Sequence, residues 1–325
     1  MKLKMAVKTL VPDSFWQGLR TAKHVAWMLF RWMCERCGLV VALRSDYYSP
    51  LPSEFTLEQT KSRWAKPSAL AGVTADMVDM KSYLLLLIDY FYDEFQELPA
   101  YEVLCRAGYG PGYPQVDAFT LYAFIRHLKP KRYIEVGSGL STLYCDLARN
   151  RNNIDPGMDT KITCIEPHPF PKLDEIKRLD LIVSEVQSVP LEKFKELQSG
   201  DVLFIDSSHV VRIDGDVPFL ILEVLPILAS GVYVHIHDMP LPYNTPFPAD
   251  YWTLLRDMQS PHWPMYWNEA MLVQAFLAFN HEFEVVLSTP IIRHHDAAFL
   301  AANLPIYISI AIVPNTFSSL WLRRK

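Results

Sequence analysis

A short acidic and glycine-rich segment is the part of the sequence best suited to bind a cofactor. Glu135 precedes a turn containing Gly137 and Gly139, and apolar residues at helical spacing follow from residue 140. Glycines let the backbone approach a ligand closely, and the first turn of a helix offers unpaired N–H groups. The third glycine of a dinucleotide fingerprint is absent, and Glu135 would repel a pyrophosphate. The segment therefore favours a cofactor with a cationic centre and no phosphate, such as S-adenosylmethionine.

Acidic residues also end three later hydrophobic runs, each of which is predicted to be a strand. These residues are Glu166, Asp206 and Asp238. Because the carboxyl ends of parallel strands lie along one edge of a sheet, we expect the acids to share a site. Glu166, at the end of the second strand, can accept hydrogen bonds from both hydroxyls of a ribose. Taken singly, each acid could equally cap a helix or end a strand.

Histidines accompany the last two of these acids. His209 follows Asp206 by three residues, and His235 and His237 precede Asp238. Strand alternation places the side chains of His235 and His237 on the same face of the sheet. Imidazole titrates near neutral pH, which makes His209 a candidate general base. We expect His235 to be a buried residue that braces the following loop.

Three motifs give the chain a family resemblance. They are Ile-Glu-Val-Gly-Ser-Gly-Leu-Ser-Thr at 134–142, Leu-Phe-Ile-Asp-Ser-Ser-His at 203–209 and Val-His-Ile-His-Asp at 234–238. With these motifs the chain resembles a bacterial family of class I S-adenosylmethionine-dependent methyltransferases, of the Methyltransferase 24-like type. Segments 47–50 and 269–280 are also similar to that family, and the resemblance covers roughly residues 45–313. It implies a fold and a cofactor but no substrate.

The resemblance implies a cofactor site at the glycine-rich turn and along the neighbouring strands. Gly137, Ser138 and Gly139 would bring backbone against the methionine part of S-adenosylmethionine. Glu135 would lie near its ammonium group, and Glu166 would hold the ribose. The predicted cofactor-binding residues are Glu135, Gly137, Ser138, Gly139, Ser141, Thr142, Glu166, Asp206 and Ser207, with Gln187 or Ser188 as candidates for the adenine edge.

The resemblance also raises the question of a metal ion. In metal-dependent relatives such as catechol O-methyltransferase, acids at the ends of the corresponding two strands bind magnesium, and the base lies three residues after the first acid. By this resemblance Asp206, His237 and Asp238 would be metal ligands, and His209 the base. Magnesium prefers oxygen, so His237 would shift the preference toward manganese, iron or zinc. The cluster could equally hold no metal. Asp206, His209 and Asp238 are the predicted catalytic residues.

The elements that position these residues are predicted to form an α/β fold. Strands are predicted at 131–136, 161–166, 181–185, 201–206 and 231–236, with helices at 116–128, 140–150, 171–178, 190–198, 215–229 and 265–279. This alternation predicts a Rossmann-like, doubly wound, mostly parallel sheet of seven strands. The last two strands, 283–288 and 305–313, are expected at its antiparallel edge, as in the methyltransferase fold.

Residues 1–115 are predicted to be an N-terminal helical region and substrate-side cap, and residues 116–325 the methyltransferase domain. Segment 98–115 is rich in proline, glycine and tyrosine and is predicted to be an irregular linker that straps the site. Segment 240–267 is stiff and aromatic, which suits a planar or partly apolar acceptor or simple packing over the sheet. His294-His295-Asp296 is expected in a loop between the last two strands, either closing over the acceptor or exposed to solvent.

Composition excludes several classes of protein. The net charge of −5 and the absence of a long basic run argue against a nucleic-acid partner. Five cysteines, an odd number, suggest free thiols in a reducing cytoplasm. Residues 24–43 are apolar, but Arg31, Glu35 and Arg36 interrupt them, so we expect an amphipathic helix rather than a transmembrane segment. Such a helix could pack on the protein, support a homodimer, or touch a membrane surface.

These observations predict a cytoplasmic S-adenosylmethionine-dependent methyltransferase in biosynthesis. Its acceptor is expected to be a small-molecule hydroxyl, on a secondary metabolite or a sugar, with a divalent metal (manganese, magnesium, iron or zinc) as an open question. The alternatives are methylation of nitrogen or carbon, other chemistry of the sulfonium, and a non-catalytic scaffold on a degenerate methyltransferase fold. A dinucleotide-dependent oxidoreductase is disfavoured by the missing third glycine.

Overall fold

The computed structural model describes residues 13–41, 48–49, 51–110, 112–154, 159–260, 264–307 and 317–325. The chain forms two compact units, Met1–Gln59 and Thr60–Lys325. The described part of the first unit contains helices α1 (Asp13–Arg36) and α2 (Glu54–Gln59). Several large apolar side chains of α1, among them Met28 and Trp32, are exposed. No described helix has the length and apolarity to cross a membrane. A homodimer through α1 stays a prediction.

The second unit contains the remaining elements. Its α-helices are α3 (Lys61–Trp64), α4 (Met77–Gln96), α5 (Tyr101–Cys105), α6 (Gln115–Leu128), α7 (Leu140–Asn152), α8 (Leu191–Lys195), α9 (Asp216–Phe219), α10 (Tyr251–Met258), α11 (Glu269–Leu277) and α12 (Thr289–Asn303). Its strands are β1 (Arg132–Val136), β2 (Lys161–Ile165), β3 (Leu179–Ile182), β4 (Val202–Ile205), β5 (Tyr233–Ile236), β6 (Phe283–Ser288) and β7 (Leu320–Arg324).

The seven strands form one sheet, which confirms the predicted fold class. Their order is β3-β2-β1-β4-β5-β7-β6, and β1 to β5 pair in parallel. Strand β7 lies between β5 and β6 and runs antiparallel to both. The central strands are buried on both faces, as a parallel sheet covered by helices requires. The carboxyl ends of β1, β2, β4 and β5 therefore meet at one edge, where the predicted site residues lie.

Helix α6 covers one face of the sheet and is buried along most of its length. Its Phe124 ring stacks on Trp321 of β7 with the ring centroids 3.7 Å apart. Helix α4 packs on α6, and Glu94 of α4 accepts hydrogen bonds from Arg126 at 2.6 and 2.9 Å. Residues 60–115 thus belong to the same compact unit as the sheet. A functional boundary near residue 115, with a substrate-side cap before it, stays a prediction.

The predicted second antiparallel strand was placed wrongly. Residues 308–313 lie outside the described residues, and residues 305–307 form no strand. The antiparallel strand that pairs with β5 and β6 is β7, which lies outside the predicted range 305–313. Long-range pairing explains the difference: Leu320, Trp321 and Leu322 are fully buried, and Arg323 forms an ion pair with Glu284 of β6 at 2.5 Å. The charged residues of β7 break the apolar pattern by which a strand is predicted, and the strands that pair with it are distant in sequence.

The expected loop at residues 294–296 is also wrong, because these residues lie within α12. Ser288 caps this helix by accepting a hydrogen bond from the Ile291 N–H at 3.4 Å. The helix kinks at Asp296, whose backbone is not helical. Lys81 of α4 forms an ion pair with the Asp296 carboxylate at 2.5 Å, which holds the kink against α4. His294 and His295 therefore lie on a helix rather than on a flap.

Other boundaries moved as well. The predicted helix 215–229 is divided into α9, a π-helical turn at Leu220–Val224 and a 3₁₀ turn at Leu225–Ile227. The predicted helix 171–178 is a 3₁₀ helix, Pro171–Glu175. Within the aromatic segment 240–267, Asp250 caps the unpredicted helix α10 by accepting hydrogen bonds from Trp252 and Thr253 N–H groups.

Candidate functional site

The turn after β1 requires glycine for two reasons. Gly137 has a φ of +91°, and a Cβ atom there would lie 2.3 Å from the carbonyl oxygen of Asp206. A Cβ at Gly139 would lie 3.0 Å from the carbonyl oxygen of Tyr109, in the segment that connects α5 and α6. The predicted strap therefore passes over the glycine turn. Close approach of two backbones, together with the positive φ, explains why glycine stands at residue 137.

Glu135 is completely buried beneath this turn. Its carboxylate accepts a hydrogen bond from the Ser141 hydroxyl and lies 3.7 Å from the Cys164 sulfur. Burial raises the pKa of Glu135 to about 8, against the lowering effect of the Ser141 and Thr142 hydroxyls. The Thr142 hydroxyl also accepts a hydrogen bond from the Gly139 N–H at 3.0 Å. Ser141 and Thr142 therefore hold the turn and its acid.

A cavity of about 350 Å³ opens at the ends of β1, β2 and β4; we call it the cofactor cavity. Five of the predicted residues line it: Gly137, Glu166, Gln187, Asp206 and Ser207. The remaining predicted residues are absent from its lining: Glu135, Ser138, Gly139, Ser141, Thr142 and Ser188. The Glu166 carboxylate accepts a hydrogen bond from the His168 N–H at 2.7 Å, which fixes it at the cavity wall.

Two buried hydroxyls near this cavity have no hydrogen-bond partner among the described residues. They belong to Ser138, in the glycine turn, and Ser207, after β4. Buried polar groups are nearly always paired in native structures, so such hydroxyls are suited to a bound polar ligand. Together with the Glu166 carboxylate, they fit the ribose and amino-acid groups that the sequence assigns to the cofactor.

The second group of functional side chains is the polar centre, which we define as Asp206, His209, His237 and Asp238. His209 Nε2 lies 3.2 Å from Asp206 Oδ1 and 3.6 Å from Asp238 Oδ2. His237 Nδ1 lies 3.5 Å from the same Asp206 oxygen and 3.6 Å from the same Asp238 oxygen. The structure thus brings all four residues together, as the strand ends predicted.

Each imidazole of the polar centre is held from behind by a buried carboxylate. His209 Nδ1 contacts Glu269 Oε2 at 2.8 Å, and Glu269 is the first residue of α11. His237 Nε2 contacts Asp117 Oδ2 at 3.2 Å, and Asp117 lies in the first turn of α6. Asp117 also accepts hydrogen bonds from Ser318 and Ser319, just before β7.

The charges of the polar centre depend on each other. Burial by itself would lower the pKa of His209, but hydrogen bonds to Asp206 and Glu269 raise it to about 10. Burial opposes charge on Asp206 as well, yet His237 and His209 hold its pKa well below the usual range. His237 shows the same pattern as His209, because Asp238 and Asp206 raise its pKa against the effect of burial.

The polar centre also fits a metal ion. Among the described residues, one group of three has ligand atoms within 4.8 Å of one another, and it consists of Asp206, His209 and Asp238. The sequence assigned the third ligand to His237 and left His209 as the base. His237 Nδ1 is buried, has no hydrogen-bond partner among the described residues, and contacts both carboxylates. An orphaned nitrogen beside two carboxylates is consistent with a cation site.

The third histidine of this region has a structural environment. His235 is completely buried on β5, its Nε2 hydrogen-bonds the Ser319 hydroxyl at 3.0 Å, and its ring stacks on Phe204 with the centroids 4.5 Å apart. Burial and the neighbouring His237 hold its pKa well below the usual range. A neutral, packed imidazole of this kind agrees with the expected bracing role.

A second cavity of about 290 Å³ adjoins the polar centre; we call it the acceptor cavity. Its walls include Asp238, Phe247, Met265 and Trp267, together with Pro114, Pro240 and Pro246. Trp267 also contacts the ring of His209, with the centroids 4.5 Å apart. Aromatic and proline walls with two carboxylates, of Asp238 and Asp257, and the Arg256 guanidinium suit a partly apolar ligand that carries a few polar groups.

Sequence reasoning missed the residues that support the polar centre. Asp117 lies in a helix where its acidic side chain resembles an ordinary first-turn residue, and Ser318 and Ser319 precede an unrecognised strand. Tyr113 packs its ring against His237 with the centroids 4.8 Å apart. Glu269 was noted only as the first residue of segment 269–280, which is similar to the family. None of these residues has a local signal, because each acts through a partner far away in sequence.

A family model described as "Methyltransferase domain" matches residues 134–239. An uncharacterized protein of Archaeoglobus fulgidus is 26% identical over 168 residues, which cover 47% of this chain and 72% of that protein.

All five cysteines are free thiols, as the sequence suggested.

Solved structures of low similarity include two methyltransferases. The O-methyltransferase TomG from Streptomyces achromogenes is 15% identical with a TM-score of 0.38, covering 78% of this chain and 91% of its own. The 1,6-didemethyltoxoflavin-N1-methyltransferase of Burkholderia thailandensis is 13% identical with a TM-score of 0.39, covering 78% and 94%. The match to the family model runs from within β1 to the residues just after β5, and it includes the three motifs at 134–142, 203–209 and 234–238.

Proposed function

We propose that the protein transfers a methyl group from S-adenosylmethionine to a hydroxyl of a small molecule. One observation carries this proposal: the two cavities meet at the polar centre. Asp206 lines the cofactor cavity and Asp238 lines the acceptor cavity, and His209 Nε2 lies 3.2 and 3.6 Å from their carboxylates. A donor in one cavity and an acceptor in the other would therefore face each other across ionisable groups.

The proposed roles of the cofactor cavity follow from its chemistry. Glu166 is an acceptor for the ribose hydroxyls, and Gln187 is an amide that could meet the adenine edge. Gly137, with a φ of +91°, forms the tight turn at the wall of this cavity. The described lining of the cofactor cavity has one arginine, Arg212, against four carboxylates, those of Glu166, Glu185, Asp206 and Asp216, so it does not favour a pyrophosphate. These features favour a sulfonium cofactor over a dinucleotide.

Methyl transfer requires that the acceptor oxygen is aligned with the methyl group and that the acceptor hydroxyl loses its proton. The sulfonium is activated before it binds, so the protein must hold the acceptor oxygen in line with the methyl group and lower the cost of deprotonation. The polar centre supplies half-buried carboxylates and buried imidazoles at that point. This leaves His209 two possible roles, as a general base or as a ligand of a metal ion that polarises the acceptor hydroxyl.

The walls of the acceptor cavity suggest the class of acceptor. Trp267 and Phe247 offer flat apolar surfaces, while Arg256 and Asp257 place polar groups at the same cavity. A planar phenolic metabolite or a sugar, each with an apolar face and hydroxyls at its edge, satisfies both features. We therefore propose a secondary metabolite or a sugar as the acceptor.

The test begins with calorimetric titration of the protein with S-adenosylhomocysteine, with NAD as the competing ligand. Micromolar binding that NAD does not weaken is expected; binding of NAD alone would replace the proposal with an oxidoreductase. A screen of phenols and sugars follows, with S-adenosylhomocysteine formation as the readout.

The acceptor cavity is tested with Trp267→Ala, using the exposed Trp252→Ala as the matched control. We expect Trp267→Ala to raise KM for the acceptor about tenfold or more without weakening S-adenosylhomocysteine binding. Cofactor binding without turnover of any acceptor would favour a scaffold, or methylation of another atom.

A further inference from the structure

We propose that α1 binds the surface of an anionic membrane, with its apolar face among the acyl chains and its basic side chains against the phosphate headgroups. The inference goes beyond the proposed function, because it concerns the first compact unit, Met1–Gln59, and none of the residues that line the two cavities. Membrane binding is measured without cofactor or acceptor, so its outcome does not depend on methyl transfer.

The first step is the apolar face of α1. Residues 22, 25, 26, 29, 32 and 33 repeat at intervals of three and four, which brings their side chains onto one side of the helix. All six side chains are apolar and exposed: Ala22, Val25, Ala26, Leu29, Trp32 and Met33. Phe30 borders this face and is 45% exposed. A continuous apolar stripe of this length on the outside of a protein marks an interaction surface.

The apolar surface continues past the end of α1. Gly38, with a φ of +75°, ends the helix, and its N–H donates to the Glu35 carbonyl oxygen at 3.0 Å. The Leu39 N–H donates to the Cys34 carbonyl oxygen at 2.9 Å, which completes the cap. Leu39 and Val40 are 59% and 81% exposed. The cap therefore adds two exposed apolar side chains directly after the last turn of the helix.

The second step is the arrangement of the polar side chains of α1. His24 and Arg31 lie on the side opposite the apolar face, whereas Lys23 borders that face and Arg36 follows it in the last turn. The Arg36 guanidinium lies over the Trp32 ring, 4.1 Å from the centroid. A cation on an aromatic ring suits the boundary between acyl chains and headgroups. Because charges recur along the helix, we expect α1 to lie in the plane of that boundary.

The third step is the sign of the charge, which selects the partner. Residues 1–45 contain eight lysines and arginines and two acidic residues, Asp13 and Glu35, which gives a formal charge of +6. The whole chain carries −5, so residues 46–325 carry −11. Anionic headgroups attract the basic segment, whereas a second copy bound through the same helix would bring two such segments together. A nucleic acid would neutralise the charge but leave the apolar face in water.

The test is sedimentation of the full chain with vesicles, made either of equimolar phosphatidylglycerol and phosphatidylcholine or of phosphatidylcholine alone. Wild type should bind the anionic vesicles at least about tenfold more tightly than the neutral ones. Lys23→Gln with Arg31→Gln should weaken anionic binding by about fivefold for each charge removed. Leu29→Ser with Met33→Ser removes apolar contact and should weaken it about tenfold or more.

The matched control is Val78→Ser, at an apolar residue of α4 that is 72% exposed. It should bind the anionic vesicles as wild type does. Circular dichroism checks that each variant is folded, and the two double variants test the charge and the apolar face separately. S-adenosylhomocysteine binding, measured on the same samples, reports on the proposed function independently.

The inference is overturned if wild type does not bind the anionic vesicles at millimolar lipid, or if it binds both kinds of vesicle equally. It is also overturned if either folded double variant binds the anionic vesicles within threefold of wild type. Sedimentation velocity without lipid gives a further test. A wild-type dimer that Leu29→Ser with Met33→Ser converts to a monomer would overturn the inference, because a second copy would then cover the apolar face.

Discussion

Glu135 and Asp206 lie at the ends of the neighbouring strands β1 and β4, yet their side chains have different partners. Glu135 is buried with a hydroxyl and a thiol, without a cationic partner in the part of the chain that the structure describes, and burial raises its pKa to about 8. Asp206 is placed between two imidazoles, which hold its pKa well below the usual range despite burial. The same chemical group can thus store a proton or carry a charge, depending on its partners.

The two regions also differ in how they are assembled. The glycine turn and Glu135 come from one continuous stretch, residues 132–142, in which Ser141 and Thr142 hold the acid and the turn. The polar centre draws its supports from Asp117, Glu269 and the residues before β7, which are separated by as many as 202 positions. The hydrogen bonds from Ser141 and to Thr142 that hold the acid and the turn are thus local, whereas those of the polar centre depend on the correct packing of several elements.

The strongest test of the contiguous region is Gly137→Ala. The new Cβ would lie 2.3 Å from the Asp206 carbonyl at a φ of +91°, so strain and overpacking add, and we expect a loss of about 4 kcal/mol in the free energy of unfolding. Gly200→Ala is the control, because Gly200 has a φ of +85° and open space around it, and it should lose about 1 kcal/mol. Urea unfolding measures both. Equal losses would mean that backbone conformation alone requires glycine at residue 137.

The pH dependence of stability sharpens the contrast between the two acids. The pKa of Glu135 is about 8 when folded and 4.5 when exposed. The unfolded chain releases this proton first, so the contribution of Glu135 is present below pH 4.5 and is lost as the pH rises to about 8. Between pH 5 and 8 we expect cofactor-free wild type to lose on the order of 3 kcal/mol more than Glu135→Gln. Urea unfolding at both pH values measures the difference, and parallel curves would contradict the burial of a protonated Glu135.

The same difference in assembly explains what the sequence could predict. Strands β1, β2, β4 and β5 were predictable because each is a short apolar run that ends in a polar residue at a turn. The position of β7 was not, since Arg323 pairs with Glu284 of β6 and Arg324 with Glu282 just before β6, and these charged residues give no local strand pattern. Asp117 escaped notice for a related reason, because its role appears only when α6 lies beside β5. Local patterns predicted the cofactor side, and long-range pairing completed the polar centre.

Asp117→Asn probes this long-range assembly directly. The carboxylate accepts hydrogen bonds from the Ser318 N–H at 2.9 Å and the Ser319 hydroxyl at 2.6 Å, and it contacts His237. An amide supplies one acceptor fewer and buries an N–H₂ group among donors, so we expect a loss of about 2 kcal/mol in the free energy of unfolding. Asp89→Asn, at an exposed residue of α4, should change it by less than about 0.5 kcal/mol. Thermal and urea unfolding compare the two, and equal effects would show that the polar centre does not depend on Asp117.

The smallest expected effect belongs to the rim of the cofactor cavity. Glu166→Gln keeps an acceptor for the His168 N–H but removes the charge that would strengthen hydrogen bonds to the two ribose hydroxyls. We expect S-adenosylhomocysteine to bind about tenfold more weakly, which corresponds to about 1.4 kcal/mol, with the free energy of unfolding nearly unchanged. Glu192→Gln, at an exposed residue of α8, is the control. Calorimetric titration of both variants gives the comparison. Unchanged affinity in Glu166→Gln would mean that the ribose hydroxyls are bound by other residues. The glycine turn would then be the remaining part of the contiguous region proposed to bind the cofactor.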